Sequence, residues 1–201
     1  MKFILGKKIN MTQVFEEGKA VPLTLIEVRP CKVLQLKTKD KDGYSAVQIG
    51  TEELTKQKRI KKTQKGKEYR YLKEVRLSEE EMKNYKAGDI IDLGIFSQGD
   101  KVKVSGISKG KGYQGAVKMW GFKGRLSATH GTKHELRTLG SVGMSNLGRV
   151  IKGRKMSGRM GTERVSIKNV KIVKIDKDNN ILAVKGALPG RRGTLLEIKG
   201  A

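Results

Sequence analysis

Nothing inside residues 105–161 can offset the cost of ordering them. These 57 residues hold 13 glycines, 12 lysines or arginines, a single acid (Glu135) and no proline. Glycine makes up about 7% of ordinary proteins and here approaches one residue in four, so this backbone loses more entropy on folding than a usual chain does. Ordering costs roughly 1–2 kcal/mol per residue. The cations repel one another, and no alternating or 3.6-periodic apolar run is long enough to build a private core. The compensation has to come from outside, and a dense polyphosphate surface supplies it by neutralising charge and filling the space that a glycine backbone leaves open.

The rest of the chain has a different composition. The net charge of +24 is unevenly spread: residues 1–104 carry 23 Lys+Arg against 15 Asp+Glu, residues 105–161 carry 12 against 1, and residues 162–201 carry 9 against 4. At 201 residues and 36% hydrophobic content the chain suits one domain with a large insertion. A lone cysteine, Cys31, excludes an internal disulfide and suits a reducing compartment. The apolar run in Met1-Lys2-Phe3-Ile4-Leu5-Gly6 is too short for a signal peptide, and no stretch nears the roughly 20 apolar residues of a membrane helix, so a cytoplasmic location is expected. Membrane-surface binding would need an amphipathic helix with an aromatic or leucine face, which the sequence lacks, so nucleic acid is the favoured partner.

Short β-type runs frame the glycine-rich segment. Lys2–Leu5, Thr12–Phe15, Val21–Val28, Val33–Thr38 and Tyr44–Ile49 read as strands, with turns at Gly18 and Asp42-Gly43. Residues 51–76 form a second basic block that reads as a helix followed by a loop, or as a solvated lysine-rich face. Ser78 and Glu81 have capping-box spacing, with Leu77 and Met82 placed for a hydrophobic staple, and Gly88 is placed to follow the helix end. Strand character returns at Ile90–Leu93, Lys101–Ile107, Glu163–Ile175, Asn180–Lys185 and Leu195–Lys199, with a hairpin at Asp176-Lys177-Asp178-Asn179. The expected fold is mainly β with minor α. It is a barrel formed by residues 1–104 and 162–201, with a basic, partly helical insertion at about 51–88 and residues 105–161 as an extension inserted between strands.

Several motifs have a chemical reading and a plainer one. Gly110-Lys111-Gly112-Tyr113-Gln114-Gly115 matches G-x-G-x-x-G after a strand, with Glu135 twenty residues on, as in a dinucleotide site. The following residues lack a helical apolar period, and Glu135 closes no strand, so close approach of backbone to RNA phosphates is the better reading. His130 and His134 are spaced i, i+4 before Glu135, but with Gly131 between them and no H-E-x-x-H order they make a poor zinc site. Histidines in such a loop suit base stacking or donation to phosphate. The sole tryptophan, Trp120, sits in Lys118-Met119-Trp120-Gly121-Phe122-Lys123, which favours an RNA-facing or tip-packing role over a core one. No Ser/His/Asp or Cys/His set has recognisable family spacing, so no catalytic residue, cofactor or metal is expected. Two rivals share some of these features: a nucleotide-using or nucleic-acid-processing enzyme built on the Gly110 loop, and a nucleoid-type DNA binder that would prefer duplex DNA.

Ordered motifs along the whole chain resemble the bacterial large-subunit ribosomal protein L-three family. They are Gly6-Lys7-Lys8-Ile9-Asn10-Met11-Thr12-Gln13-Val14-Phe15, Ser108-Lys109-Gly110-Lys111-Gly112-Tyr113, Ala128-Thr129-His130-Gly131 and Gly140-Ser141-Val142-Gly143. Lys152-Gly153-Arg154-Lys155-Met156-Ser157-Gly158 and Val184-Lys185-Gly186-Ala187-Leu188-Pro189-Gly190 complete the set. The resemblance implies a six-stranded barrel of the translation-protein type and a long finger reaching through ribosomal RNA towards the peptidyl transferase centre. It also implies early binding near the 3′ end of the large-subunit RNA, beside the subunit proteins numbered fourteen and nineteen, with no catalysis, small-molecule substrate or membrane.

Two positions depart from the family pattern. Asn10 stands where many relatives have glycine, and asparagine is the next most tolerant residue at positive φ. Met144-Ser145-Asn146-Leu147-Gly148 replaces a glutamine-rich turn that is methylated in relatives, and it offers no glutamine to modify. The expected RNA-binding set is Lys109, Lys111, Lys118, Trp120, Lys123, Arg125, His130, Lys133, His134, Arg137, Ser145, Asn146, Arg149, Lys152, Arg154, Lys155 and Arg159. Its cations supply affinity and register through phosphates.

Overall fold

The computed structural model describes residues 2–56, 60–64, 66–125, 129–133 and 135–200. Within them the chain is mainly β. Twelve strands run in the order β1 (Phe3–Glu16), β2 (Lys19–Glu27), β3 (Cys31–Lys37), β4 (Ala46–Glu53), β5 (Tyr69–Arg76), β6 (Ile90–Ile91), β7 (Lys101–Ile107), β8 (Gly112–Gln114), β9 (Gly158–Met160), β10 (Arg164–Asp176), β11 (Ile181–Lys185) and β12 (Leu195–Gly200). Three short helices, α1 (Lys39–Asp42), α2 (Glu79–Met82) and α3 (Ala116–Trp120), punctuate them. Contacts divide the chain into two compact units, one of residues 1–107 with 164–201 and one of residues 108–163.

In the first unit six strands close a ring in the order β1-β12-β7-β10-β11-β2, every neighbouring pair antiparallel. The period-2 pattern explains the closure. Val102 and Val104 of β7, Leu182 and Val184 of β11, and Leu196 and Ile198 of β12 are all buried, while Lys101, Lys185 and Lys199 alternate with them. Ile4, Leu5, Ile26 and Ile172 join the same core, and each buried aliphatic side chain contributes about 1.5–3 kcal/mol. Closure leaves the ring without the exposed edges of an open sheet.

A second sheet, ordered β5-β4-β3-β6, adds Cys31, Val33, Val47, Ile49, Val75 and Ile91 to that core. Burial pushes the Cys31 thiol up, against backbone and side-chain hydrogen bonds that act the other way. The strands at 33–49 therefore build a separate sheet packed on the same cluster, and the ring takes its later strands from beyond residue 100.

Three local expectations are corrected. The two strands expected at 2–5 and 12–15 are one continuous strand, because a bulge between Lys8 and Asn10 absorbs the irregular stretch. Asn10 sits at that bulge and is not among the positive-φ residues. Residues 51–76, read as a helix and loop, hold the end of β4, one 3-10 turn at Lys62–Gln64 and strand β5. There Tyr69, Tyr71 and Val75 alternate in register with β4, and that period-2 pattern outweighs the lysine content. The capping box at Ser78 and Glu81 is formed, yet α2 ends at Met82, well before Gly88.

Candidate nucleic-acid interface

The unit of residues 108–163 is inserted in the chain between β7 and β10. Its neck is closed by paired backbone: Ser108 N–H donates to the Glu163 carbonyl at 2.9 Å, and Lys111 N–H to the Met160 carbonyl at 2.9 Å. Beyond it β8 and β9 pair antiparallel, with Gly112 opposite Met160 and Tyr113 opposite Arg159. A single turn and a half of helix, α3, follows from Gly115 and stops at Gly121, which takes a left-handed φ of 74°. The G-x-G-x-x-G run thus spans a three-residue strand and the cap of a five-residue helix, and the long helix of a dinucleotide-binding unit is not there.

Further along, the chain is held by turns. Glu135 N–H donates to the Thr132 carbonyl at 3.0 Å, Thr138 N–H to the Glu135 carbonyl at 3.2 Å, and the buried Thr132 closes a turn with Thr129. A 3-10 turn covers Ser145–Leu147. Among the described residues of this unit only Ala116 and Thr132 are buried. One buried alanine cannot offset an ordering cost of roughly 1–2 kcal/mol per residue.

What the unit lacks in core it shows as surface. All twelve of its predicted cations, from Lys109 to Arg159, are exposed, as are Trp120, His130 and Asn146. Arg125 is ion-paired with Glu135, Arg154 donates to the Ser141 carbonyl at 2.5 Å, and Lys155 lies 5.6 Å from the centre of the Trp120 ring. No other cation of the unit makes an ion pair among the described residues. His134 lies outside the described residues, and of Ser145 only the backbone is placed. Tyr113, Leu136, Met144 and Ile151 are exposed as well, at 74%, 47%, 72% and 62%. Tyr113 is an exposed aromatic residue that the expected RNA-binding set omits. Its aromatic ring beside Lys111 was the available signal.

Among the described residues no helix is long and apolar enough to cross a membrane, and no group of three His, Cys, Asp or Glu could hold a metal ion. The first unit carries its own charge cluster. Glu52, at φ 59° and with a side chain 10% exposed, meets Lys7, Arg29 and Arg70, and Tyr71 lies under both Lys7 and Arg70. Two acids, Glu52 and Glu27, partner these cations, so the cluster reads as internal structure where the second unit's cations read as open surface.

An inserted segment with exposed cations and almost no core among its described residues, beside a β unit with a hydrophobic core of its own, makes that segment the candidate nucleic-acid interface of a structural protein. The comparisons with known proteins agree and are narrower: the family described as Ribosomal protein L3 matches residues 72–183, and the chain belongs to that family. It is 48% identical over 208 residues to the large ribosomal subunit protein uL3 of Petrotoga mobilis, covering 100% of this chain and 96% of that protein. The uL3 proteins of Carboxydothermus hydrogenoformans and Thermosipho africanus are 47% and 46% identical, each over 100% of this chain and 97% and 98% of their own lengths. The family is one of structural ribosomal proteins, not of enzymes.

Proposed function

We propose that this chain is a structural protein of the bacterial large ribosomal subunit, working in the cytoplasm, and that residues 105–161 form a finger which binds ribosomal RNA directly. The observation that carries this reading is the coincidence, in one inserted unit, of twelve exposed cations with a single buried hydrophobic residue among the described ones. Phosphates supply the missing counter-charge, and RNA grooves and bases cover the exposed apolar side chains. Residues 1–104 and 162–201 act as the docking body, a barrel of the translation-protein type.

The finer roles follow from the resemblance in family motifs. The protein binds early in assembly near the 3′ end of the large-subunit RNA, its finger buttresses RNA near the peptidyl transferase centre, and the proteins numbered fourteen and nineteen are its neighbours. The predicted set from Lys109 to Arg159, with Trp120, His130, His134, Ser145 and Asn146, makes the RNA contacts.

Sedimentation of a cell lysate through sucrose, repeated after a high-salt wash with this protein followed by mass spectrometry, tests the reading. Retention in the large subunit through the wash is expected of an interior, shape-locked component. Absence from ribosomes at low salt would overturn it.

A further inference from the structure

Two exposed aromatic rings in the unit of residues 108–163 are tied by their polar edges to two consecutive residues. The Tyr113 hydroxyl lies 2.6 Å from Ser157 Oγ, and Trp120 Nε1–H donates to the Met156 carbonyl at 2.7 Å. The rings come from different elements, Tyr113 from β8 and Trp120 from the last turn of α3, yet the 156–157 segment fixes both. Tethering at the edge orients a ring and leaves its faces largely to solvent: Tyr113 remains 74% exposed, and Trp120 42% even with Lys155 over its ring. A ring held for packing would be buried, since burial is where an aromatic side chain contributes its energy.

Cations surround the pair. Lys155 Nζ stands 5.6 Å from the Trp120 ring centre, Lys111 precedes Tyr113 by two residues, and Arg159 pairs with Tyr113 across the β8–β9 ladder. Fixed rings with open faces and adjacent positive charge are what unpaired nucleotides require, because each base presents a π-face and each phosphate a negative charge.

We infer that Tyr113 and Trp120 form a double stacking platform for unpaired bases of single-stranded RNA, held in place by Met156 and Ser157. This inference rests on the RNA-binding reading above and deepens it. Stacking supplies contact that tolerates any base, so the platform holds bases by their faces while the cations hold the backbone.

The chain has one tryptophan, so its own fluorescence reports the site. Full-length protein is titrated at low salt with octa-adenylate and with an abasic octamer of the same ribose-phosphate backbone. Octa-adenylate is expected to quench the Trp120 emission and to bind at least about tenfold more tightly than the abasic octamer. Tyr113→Leu is expected to weaken octa-adenylate by about five- to hundredfold, the range of one lost stacking contact, and to leave the abasic octamer unchanged. Tyr113→Phe, which keeps the ring and removes its tether, is expected to lose a smaller part.

Equal affinity for the two octamers without quenching would overturn the platform while leaving RNA binding intact. An equal loss for both octamers in Tyr113→Leu would also overturn it. Failure of both octamers to bind would overturn the RNA reading and the platform together.

Discussion

A Cβ placed on Gly161 would stand 2.2 Å from the carbonyl oxygen of Lys109. Gly161 takes φ 79°, so two separate demands converge on one position: a left-handed backbone and a close approach of two chain segments at the neck of the inserted unit. Gly161→Ala is therefore expected to open the neck, at a cost above about 2 kcal/mol, since the left-handed strain of about 1–2 kcal/mol adds to a displaced backbone. Gly112→Ala meets φ 68° but open space, so it carries the strain alone. Amide hydrogen exchange at Lys111, whose N–H bonds to Met160, should quicken far more in the first variant than in the second. Equal effects would show that the close approach is irrelevant.

Glu52→Gln is expected to destabilise the first unit by roughly 2 kcal/mol or more, because it leaves Lys7, Arg29 and Arg70 gathered around a neutral side chain. Gln keeps the shape and the backbone preference, so charge is the variable. Urea unfolding measures it, with Glu80→Gln on the exposed face of α2 as a control that stays within about 0.5 kcal/mol. A midpoint for Glu52→Gln that matches the control would refute the prediction.

Stability should fall on the acid side through Glu74. Hydrogen bonds from Lys37 and Tyr44 hold its carboxyl below the usual value of 4.5, and Lys37 is itself raised by its hydrogen bonds to the Tyr44 hydroxyl and to Glu74. A carboxyl with a depressed folded-state pKa contributes stability that is complete above its unfolded value and is lost as pH falls through the folded one. Lys37, raised when folded, contributes below its usual 10.5 and loses that contribution at still higher pH. Thermal melts of wild type and Glu74→Gln should differ between those limits and converge only as pH falls through the depressed Glu74 value, below 4.5. Parallel curves down to the most acid pH would exclude the effect.

Binding to single-stranded RNA should weaken steeply with salt. If about half of the twelve cations meet phosphates, a slope of about −0.7 per contact makes log K fall by roughly 4 per decade of salt. Filter binding across a salt series reads the slope directly, and a value near zero would remove the electrostatic basis of the interface.

The strands were legible because period-2 alternation writes them into the chain. Lys101–Ile107 matches β7 residue for residue, and Leu195–Lys199 falls short of β12 by one residue. The second sheet was not legible, since pairing of β3 with β4 and β6 depends on which face finds the shared core, and local pattern carries no such information. In the inserted unit, composition alone foretold exposed cations and a missing core. The edge tethers at Met156 and Ser157 lay beyond sequence reasoning, because they join residues 36 and 44 positions apart through a carbonyl and a hydroxyl that no motif marks.

The order of strands around the ring also sets a timetable. β1 completes its pairing only with β12, through Phe3 opposite Lys199, and β12 follows every other strand of the ring along the chain. A nascent chain consequently exposes the whole cationic insertion while β10, β11 and β12 are still to come. The cationic part of the molecule is made before the second half of the ring's strands, and that interval is a window in which a polyanion can meet an unfinished barrel.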